Sequence, residues 1–252
     1  MLTSELYKYF KESSSVSTDT RLIKKGSIFF ALKGENFDGN KFAEEAINNG
    51  ASYAIIDDHS LNNPKFIKVK NALKSLQDLS NFHRSKFLKT KIIALTGSNG
   101  KTTTKELISE VLKKKYRIIS TIGNLNNHIG VPLTLLRIKS DTEIAIVEMG
   151  ANHLNEIKFL TELINPDFGL ITNFGKAHLE GFGSIEGVIK GKSELFDFLI
   201  NNNKKAFINN DDPVQNQFVG NKISFSSESK SNYIFKEVKE TDYAGLNYKN
   251  FV

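Results

Sequence analysis

The run Ile92-Ile93-Ala94-Leu95 empties into Thr96-Gly97-Ser98-Asn99-Gly100-Lys101-Thr102-Thr103, and that transition constrains the fold more than any other stretch. The apolar residues read as a buried strand. The segment from Thr102 to Tyr116 reads as a helix with Leu107, Ile108, Val111 and Leu112 on one face. Strand, glycine-rich loop and helix in that order make an anion cradle, because loop amides and a helix N-terminus point at one place. Gly97 and Gly100 let the backbone approach a phosphate closely, Lys101 supplies charge against terminal phosphates, and the Thr102 hydroxyl is placed to ligate Mg²⁺. The general P-loop pattern has its first glycine where this chain has Leu95, so the loop is a shortened variant. A plain turn that happens to contain Gly-Lys-Thr is the competing reading, and the strand-loop-helix context weighs against it.

A chain of 252 residues, 39% hydrophobic and 25% charged, is long enough for about two domains with real cores. It has no cysteine, which excludes disulfides, thiolate metal sites and a cysteine nucleophile, and fits a reducing cytoplasm. Met1 to Phe10 carries Glu5, Lys8 and scattered apolar residues, so neither a signal peptide nor a membrane span is expected. The net charge of +6 comes from dispersed lysines, not from one basic stripe interleaved with aromatics. No nucleic acid is therefore expected, and a phosphorylated, carboxylate-bearing small substrate would use the same charge.

Before the loop, strands are expected at Ser27 to Leu32 and Ser52 to Ile56, around a helix from Lys41 to Asn49 that Gly50 ends. Asn81 to Lys91, polar and basic, reads as a connector. Beyond the loop, strands are expected at Arg117 to Ser120, Glu143 to Glu148, Phe168 to Thr172 and Lys205 to Ile208, with helices between most of them. The fold class is α/β: a small N-terminal α/β domain, 1–87, and a P-loop central domain, 88–252, with a mostly parallel sheet flanked by helices. Ligands in such sheets gather beyond the carboxyl ends of strands, and the residues there are unusually polar. Glu148 precedes Met149-Gly150-Ala151-Asn152-His153; Asn173 and His178 follow another strand; Asn209, Asp211 and Asp212 follow a third. The tail after Lys222 contains little that would complete a domain.

A helix capped by Ser184 carries Ile185, Val188, Ile189, Leu195, Phe196 and Leu199, which gather on one side at about 100° per residue. Lys192 falls in the middle of that stripe, while Lys190 points almost the opposite way. A core-facing lysine is costly unless paired, neutral or modified, and a neutral amine can add CO₂ to become a carbamate. Snorkelling to the helix rim or pairing with a carboxylate is the open alternative.

With Thr96 to Thr104, the Glu148 to His153 run and Asn173-Phe174-Gly175-Lys176-Ala177-His178-Leu179-Glu180-Gly181-Phe182-Gly183-Ser184 in hand, the chain resembles the Mur ligase family. These ATP-dependent enzymes build the peptide of peptidoglycan precursors. Ala31-Leu32-Lys33-Gly34-Glu35-Asn36-Phe37-Asp38-Gly39, with two of the runs above, resembles the branch that joins D-alanyl-D-alanine to UDP-N-acetylmuramoyl-tripeptide. The resemblance implies ATP held by Gly97, Ser98, Asn99, Gly100, Lys101, Thr102 and Thr103, with Asn209 and Asp212 at adenine and ribose. A strand-ending turn is the open alternative for that last pair. It implies Mg²⁺ on Thr102, Glu148 and His178, directly or through water, and Lys101, Lys192 and His178 as the catalytic set, with a carbamate on Lys192. It further implies a uridine nucleotide recognised by Asp19, Thr20 and Arg21 with Lys33, Phe37 and Asp38, and a substrate-facing loop at Asn126 and Asn127. His128 receives no role. A monomer is expected.

The implied chemistry is phosphoryl transfer from ATP to the tripeptide carboxylate, then attack of the D-alanyl-D-alanine amine on the acyl phosphate. Family members carry a further C-terminal domain and a longer central domain, so the chain reads as part of a longer or split ligase, with little or no turnover alone. Two other readings stay open: another amide ligase of the superfamily, such as a folylpolyglutamate synthase, and a non-catalytic nucleotide-binding module.

Overall fold

The structure is a computed structural model that describes residues 1–227, 230–234, 239–243 and 246–250, the last two segments as backbone only. The expected central domain to Val252 and the reading of the tail after Lys222 fall in part on positions outside the described residues.

The chain opens with α1 (Thr3–Glu12), β1 (Val16–Ser17), β2 (Ile28–Phe30), β3 (Lys33–Gly34), β4 (Phe37–Asp38), α2 (Ala43–Asn48), β5 (Tyr53–Ile56), β6 (Phe66–Lys68) and α3 (Ala72–Lys86). It continues through β7 (Lys91–Thr96), α4 (Lys101–Leu112), β8 (Ile118–Ser120), α5 (Gly130–Leu135), β9 (Ile144–Glu148), α6 (Glu156–Ile164) and β10 (Phe168–Ile171). Helices α7 (Leu179–Phe182) and α8 (Ile185–Asn201) follow, then β11 (Lys205–Asn209), β12 (Lys222–Ser226), β13 (Tyr233–Ile234), β14 (Lys239–Tyr243) and β15 (Leu246–Asn250). Two compact units result: Met1–Thr90 with Ser109–Val147, and Lys91–Ile108 with Glu148–Val252.

In the first unit β1, β2, β5 and β6 form a parallel sheet in that order. Side chains alternate across it, as the pleat requires. Ile28 and Phe30 join Leu6, Leu76 and Leu79 in one core, and Phe29 and Ala31 join Ala43, Ala46 and Ile56 in another. Strands β3 and β4 make a small antiparallel hairpin, and β8 pairs with β9 in parallel. In the second unit β7, β10, β11, β12 and β13 are neighbours in that order, all parallel. Helix α8 packs on β10 so tightly that a Cβ on Gly169 would lie 2.7 Å from Leu199 Cδ1. The architecture is α/β, with mostly parallel sheets flanked by helices, as the sequence led us to expect. No helix among the described residues is long and apolar enough to cross a membrane.

Three local expectations are corrected. Asn81 to Lys86 is the end of helix α3, not a connector; His83 and Arg84 are buried there, so polar letters hide an inward face. Helix α4 ends at Leu112, and its buried residues are Lys105 and Ser109, while Leu107 (63% exposed) and Val111 (71%) face outward. Beyond Lys222 the chain adds β12, whose Phe225 packs beside Asn209 in register.

Candidate active site

The second unit concentrates charge at the mouth of β7. Gly97 has φ +148, and a Cβ there would meet Thr172 Oγ1 at 1.9 Å; Gly100 has φ +75. Both positions need glycine, one for close approach and one for its left-handed backbone. The loop is stapled to the segment after β10. Asn173 Oδ1 accepts from Asn99 N (3.1 Å), Asn173 Nδ2 donates to Asn99 O (3.0 Å), and Thr172 Oγ1 donates to the same carbonyl (2.6 Å). Ser98 N donates to Asn173 O (3.0 Å) and its hydroxyl to Gly175 O (2.8 Å). The cradle is thus held from a second strand. Sequence reasoning placed Asn173 after its strand without this role.

Lys101, the first residue of α4, donates through Nζ to the carbonyls of Gly97 (2.8 Å) and Ser98 (3.1 Å). Burial pulls its pKa below the usual lysine range, and the Glu148 carboxylate partly opposes this. Thr102 Oγ1 donates to Glu148 Oε1 at 3.2 Å, and Thr103 is exposed in the first helical turn. Glu148, at the end of β9, is 1% exposed. A buried carboxylate beside a threonine hydroxyl supplies hard oxygen donors, the chemistry that suits Mg²⁺ when phosphates and water complete its shell. The donor set fits that ion.

Lys192 is 1% exposed on the inward face of α8, and Ser184 caps that helix by accepting from Gly187 N. Its Nζ lies 5.5 Å from the Phe182 ring centroid. Burial, and then the nearby Lys101 charge, lower its pKa to about 8. It does not snorkel, and no ion pair of its ammonium occurs among the described residues. Two residues on, Glu194 accepts from the backbone amides of Asn155 (2.7 Å) and Lys158 (2.8 Å), capping α6 from α8. That cap fixes the rotation of α8 and hence the direction of Lys192; the spacing Lys-x-Glu was its only sequence signal.

His178 is exposed, with left-handed backbone (φ 54) ahead of α7. Its carbonyl accepts from Gly181 N and Phe182 N, and its ring makes no hydrogen bond or ion pair with Thr102 or Glu148 among the described residues. No cluster of three His, Asp or Glu side chains that could hold a metal occurs among those residues either. Asn209 Oδ1 accepts from Asp211 N, while Asp212 Oδ1 accepts from Val214 N and Gln215 N, so both side chains build the turn after β11.

The remaining expected site residues belong to the first unit. Asp19 accepts from Arg21 N and pairs with the Arg21 guanidinium at 2.6 Å, which holds its carboxyl below the usual range; Thr20 begins the short helical turn between them and Leu22. Lys33 pairs with Asp57 at 3.2 Å, and Asp38 accepts from Asn40 N. Phe37 is 53% exposed and stacked on Phe42, centroids 5.3 Å apart. Asn127 Oδ1 accepts from Ile129 N and Gly130 N at the start of α5, and Asn126 N donates to Asn124 O.

Fold and site together define a P-loop α/β protein. The chain belongs to the Mur ligase family: residues 95–250 match the Mur ligase middle domain, and residues 12–86 match the Mur ligase family catalytic domain. It is 38% identical over 231 residues to a UDP-N-acetylmuramoyl-tripeptide–D-alanyl-D-alanine ligase of Bacillus subtilis, covering 90% of this chain and 50% of that one. It is 41% identical over 189 residues to the ligase of that name from Escherichia coli, covering 75% and 41%. The crystal structure of MurF ligase from Thermotoga maritima in complex with ADP superimposes with a TM-score of 0.81, 30% identity and coverage of 96% and 56%. The chain spans about half the length of the curated relatives it matches.

Proposed function

We propose that this chain takes part in the ATP-dependent joining of D-alanyl-D-alanine to UDP-N-acetylmuramoyl-tripeptide in the cytoplasm. The observation that carries this reading is the coupling of Lys101 to the buried Glu148 and the buried Lys192, with the exposed Thr102 hydroxyl on the same carboxylate, behind a glycine loop. Residues 88–252 would hold ATP, and residues 1–87 the uridine nucleotide, with Phe37 as a stacking platform and Lys33 and Arg21 as charge.

A bound triphosphate offers Lys101 stronger acceptors than the two loop carbonyls it now meets, so the side chain would turn to the terminal phosphates. Thr102 and Glu148 would hold Mg²⁺, with His178 reached through water; the ion supplies charge compensation on the transferred phosphoryl oxygens. The tripeptide carboxylate oxygen bonds to the γ-phosphorus and ADP leaves. The D-alanyl-D-alanine amine then adds to the acyl carbon, loses its proton, and phosphate leaves with the C–O bonding pair. A carboxylate alone is a poor acyl donor at neutral pH, so the phosphoryl group provides the leaving group. Lys192, with a pKa near 8, holds enough neutral amine at neutral pH to add CO₂, and its carbamate would replace a positive charge near Lys101 with a negative one.

Calorimetric titration of the 252-residue chain tests the reading: saturable binding of both Mg-ADP and UDP-N-acetylmuramoyl-tripeptide is expected. Binding of ADP without the uridine nucleotide would favour a different amide ligase or a nucleotide module. A ¹³C carbonyl signal near the carbamate region under ¹³CO₂, absent in Lys192→Met, tests the modification separately.

A further inference from the structure

Helix α4 holds a second lysine that nothing above uses. Lys105 is 0% exposed, one turn beyond Lys101, and 3.0 Å from Glu106 Oε1. Its Nζ also lies 3.8 Å from Glu148 Oε2, whereas Glu148 Oε1 receives the Thr102 hydroxyl at 3.2 Å. The two oxygens of one buried carboxylate therefore face different partners. A helix brings positions 101 and 105 to one side, and 102 beside them, so the same turn that presents the phosphate-facing pair also presents this ammonium. Lys105 thus sits between an exposed carboxylate of its own helix and the buried one at the end of β9, and its removal takes a cation from beside Glu148.

We propose that Lys105 is a positioning residue: it holds the Glu148 carboxylate with Oε2 toward the helix and Oε1 toward Thr102, leaving that second oxygen to a divalent cation. The proposal rests on the nucleotide reading of this site. A ligand oxygen fixed by an outer partner costs less to order when the ion arrives, and loss of such partners typically weakens metal binding about 10–100-fold.

The test is ADP affinity of the 252-residue chain, measured by calorimetry with and without Mg²⁺. Lys105→Met should leave ADP affinity without Mg²⁺ unchanged and cut the gain on adding Mg²⁺ by about tenfold or more, with Lys105→Arg restoring much of it. An unchanged gain, a larger gain, or an equal loss with and without Mg²⁺ would each overturn the proposal. Should Lys105→Met fold poorly, thermal melting of Lys105→Met, Glu148→Gln and the double variant reads the pair without nucleotide. A double variant that melts higher than the sum of the single losses supports the pairing, and strict additivity overturns it. A wild-type chain with no ADP affinity would instead sink the nucleotide reading, with the melting cycle still deciding the pair.

Discussion

Two lysines at candidate anion sites behave oppositely. Lys33, in the first unit, has a half-exposed side chain and is paired with Asp57, which raises its pKa through the hydrogen bond. Lys192, in the second unit, is 1% exposed, and its pKa is lowered to about 8. The same contrast runs through their neighbourhoods. Arg21, Phe37 and Lys33 stand out in solvent, held by short-range turns and pairs, whereas Lys101, Glu148 and Lys105 are drawn inward and held from α4, β9 and the segment after β10. Exposed charges cost little and contribute little to stability, while buried ones are costly and stay only where packing over-determines them. The second unit thus buries and pre-orders its charges, while the first presents them to solvent.

That contrast can be broken most forcefully at the loop. Lys101→Ala is expected to weaken Mg-ADP binding by roughly 100-fold, the scale of losing one preorganised charged donor, with little change in melting temperature. A calorimetric titration that finds less than a few-fold loss would remove the loop from the site. Next in size, Lys192→Met should stabilise the chain by about 2–3 kcal/mol at pH 7, because the native state no longer buries a proton-binding amine. The sign follows from the lowered pKa: the penalty is fully present below about 8 and disappears as pH rises to 10.5, so the advantage of the variant should vanish over that interval in urea titrations.

A smaller effect is expected inside the first unit. His83 Nε2 meets Ile138 O at 2.8 Å and Nδ1 meets the Tyr7 hydroxyl at 3.1 Å, and burial, with a minor contribution from Lys11, lowers its pKa from 6.5. The unfolded chain takes up this proton first, so stability should fall as pH drops below 6.5, and His83→Gln should flatten that slope. An unchanged slope would mean that other groups govern acid stability. Smallest for stability is Phe37→Ala, expected within about 0.5 kcal/mol of wild type because the ring is exposed, while uridine-nucleotide affinity drops. If affinity holds, the stacked Phe37–Phe42 pair is not the recognition surface.

Much of the second unit was legible in local spacing. The apolar run, the two glycines and Lys101 lie within ten residues, so strand, loop and helix N-terminus follow without tertiary knowledge. The direction of Lys192 was also readable, since a helix period converts sequence position into an angle. The face of α4 was not: Leu107 and Val111 look like core letters, and Lys105 does not, yet the exposures are reversed. A charged residue reads as buried only when its partner is known, and Glu148 is 43 positions away in sequence from Lys105.

The sequence by itself determined the strand, glycine loop and helix around Gly97 to Lys101 and the polar residues at strand ends, because these depend on backbone preference and short-range periodicity. The partners of those residues were decided only by the tertiary structure. Asn173 locking Asn99, Glu194 capping α6 and Lys105 meeting Glu148 each join segments far apart in the chain. Such pairings exist because a buried polar group must find its complement wherever the packed fold brings one, and no local pattern encodes that.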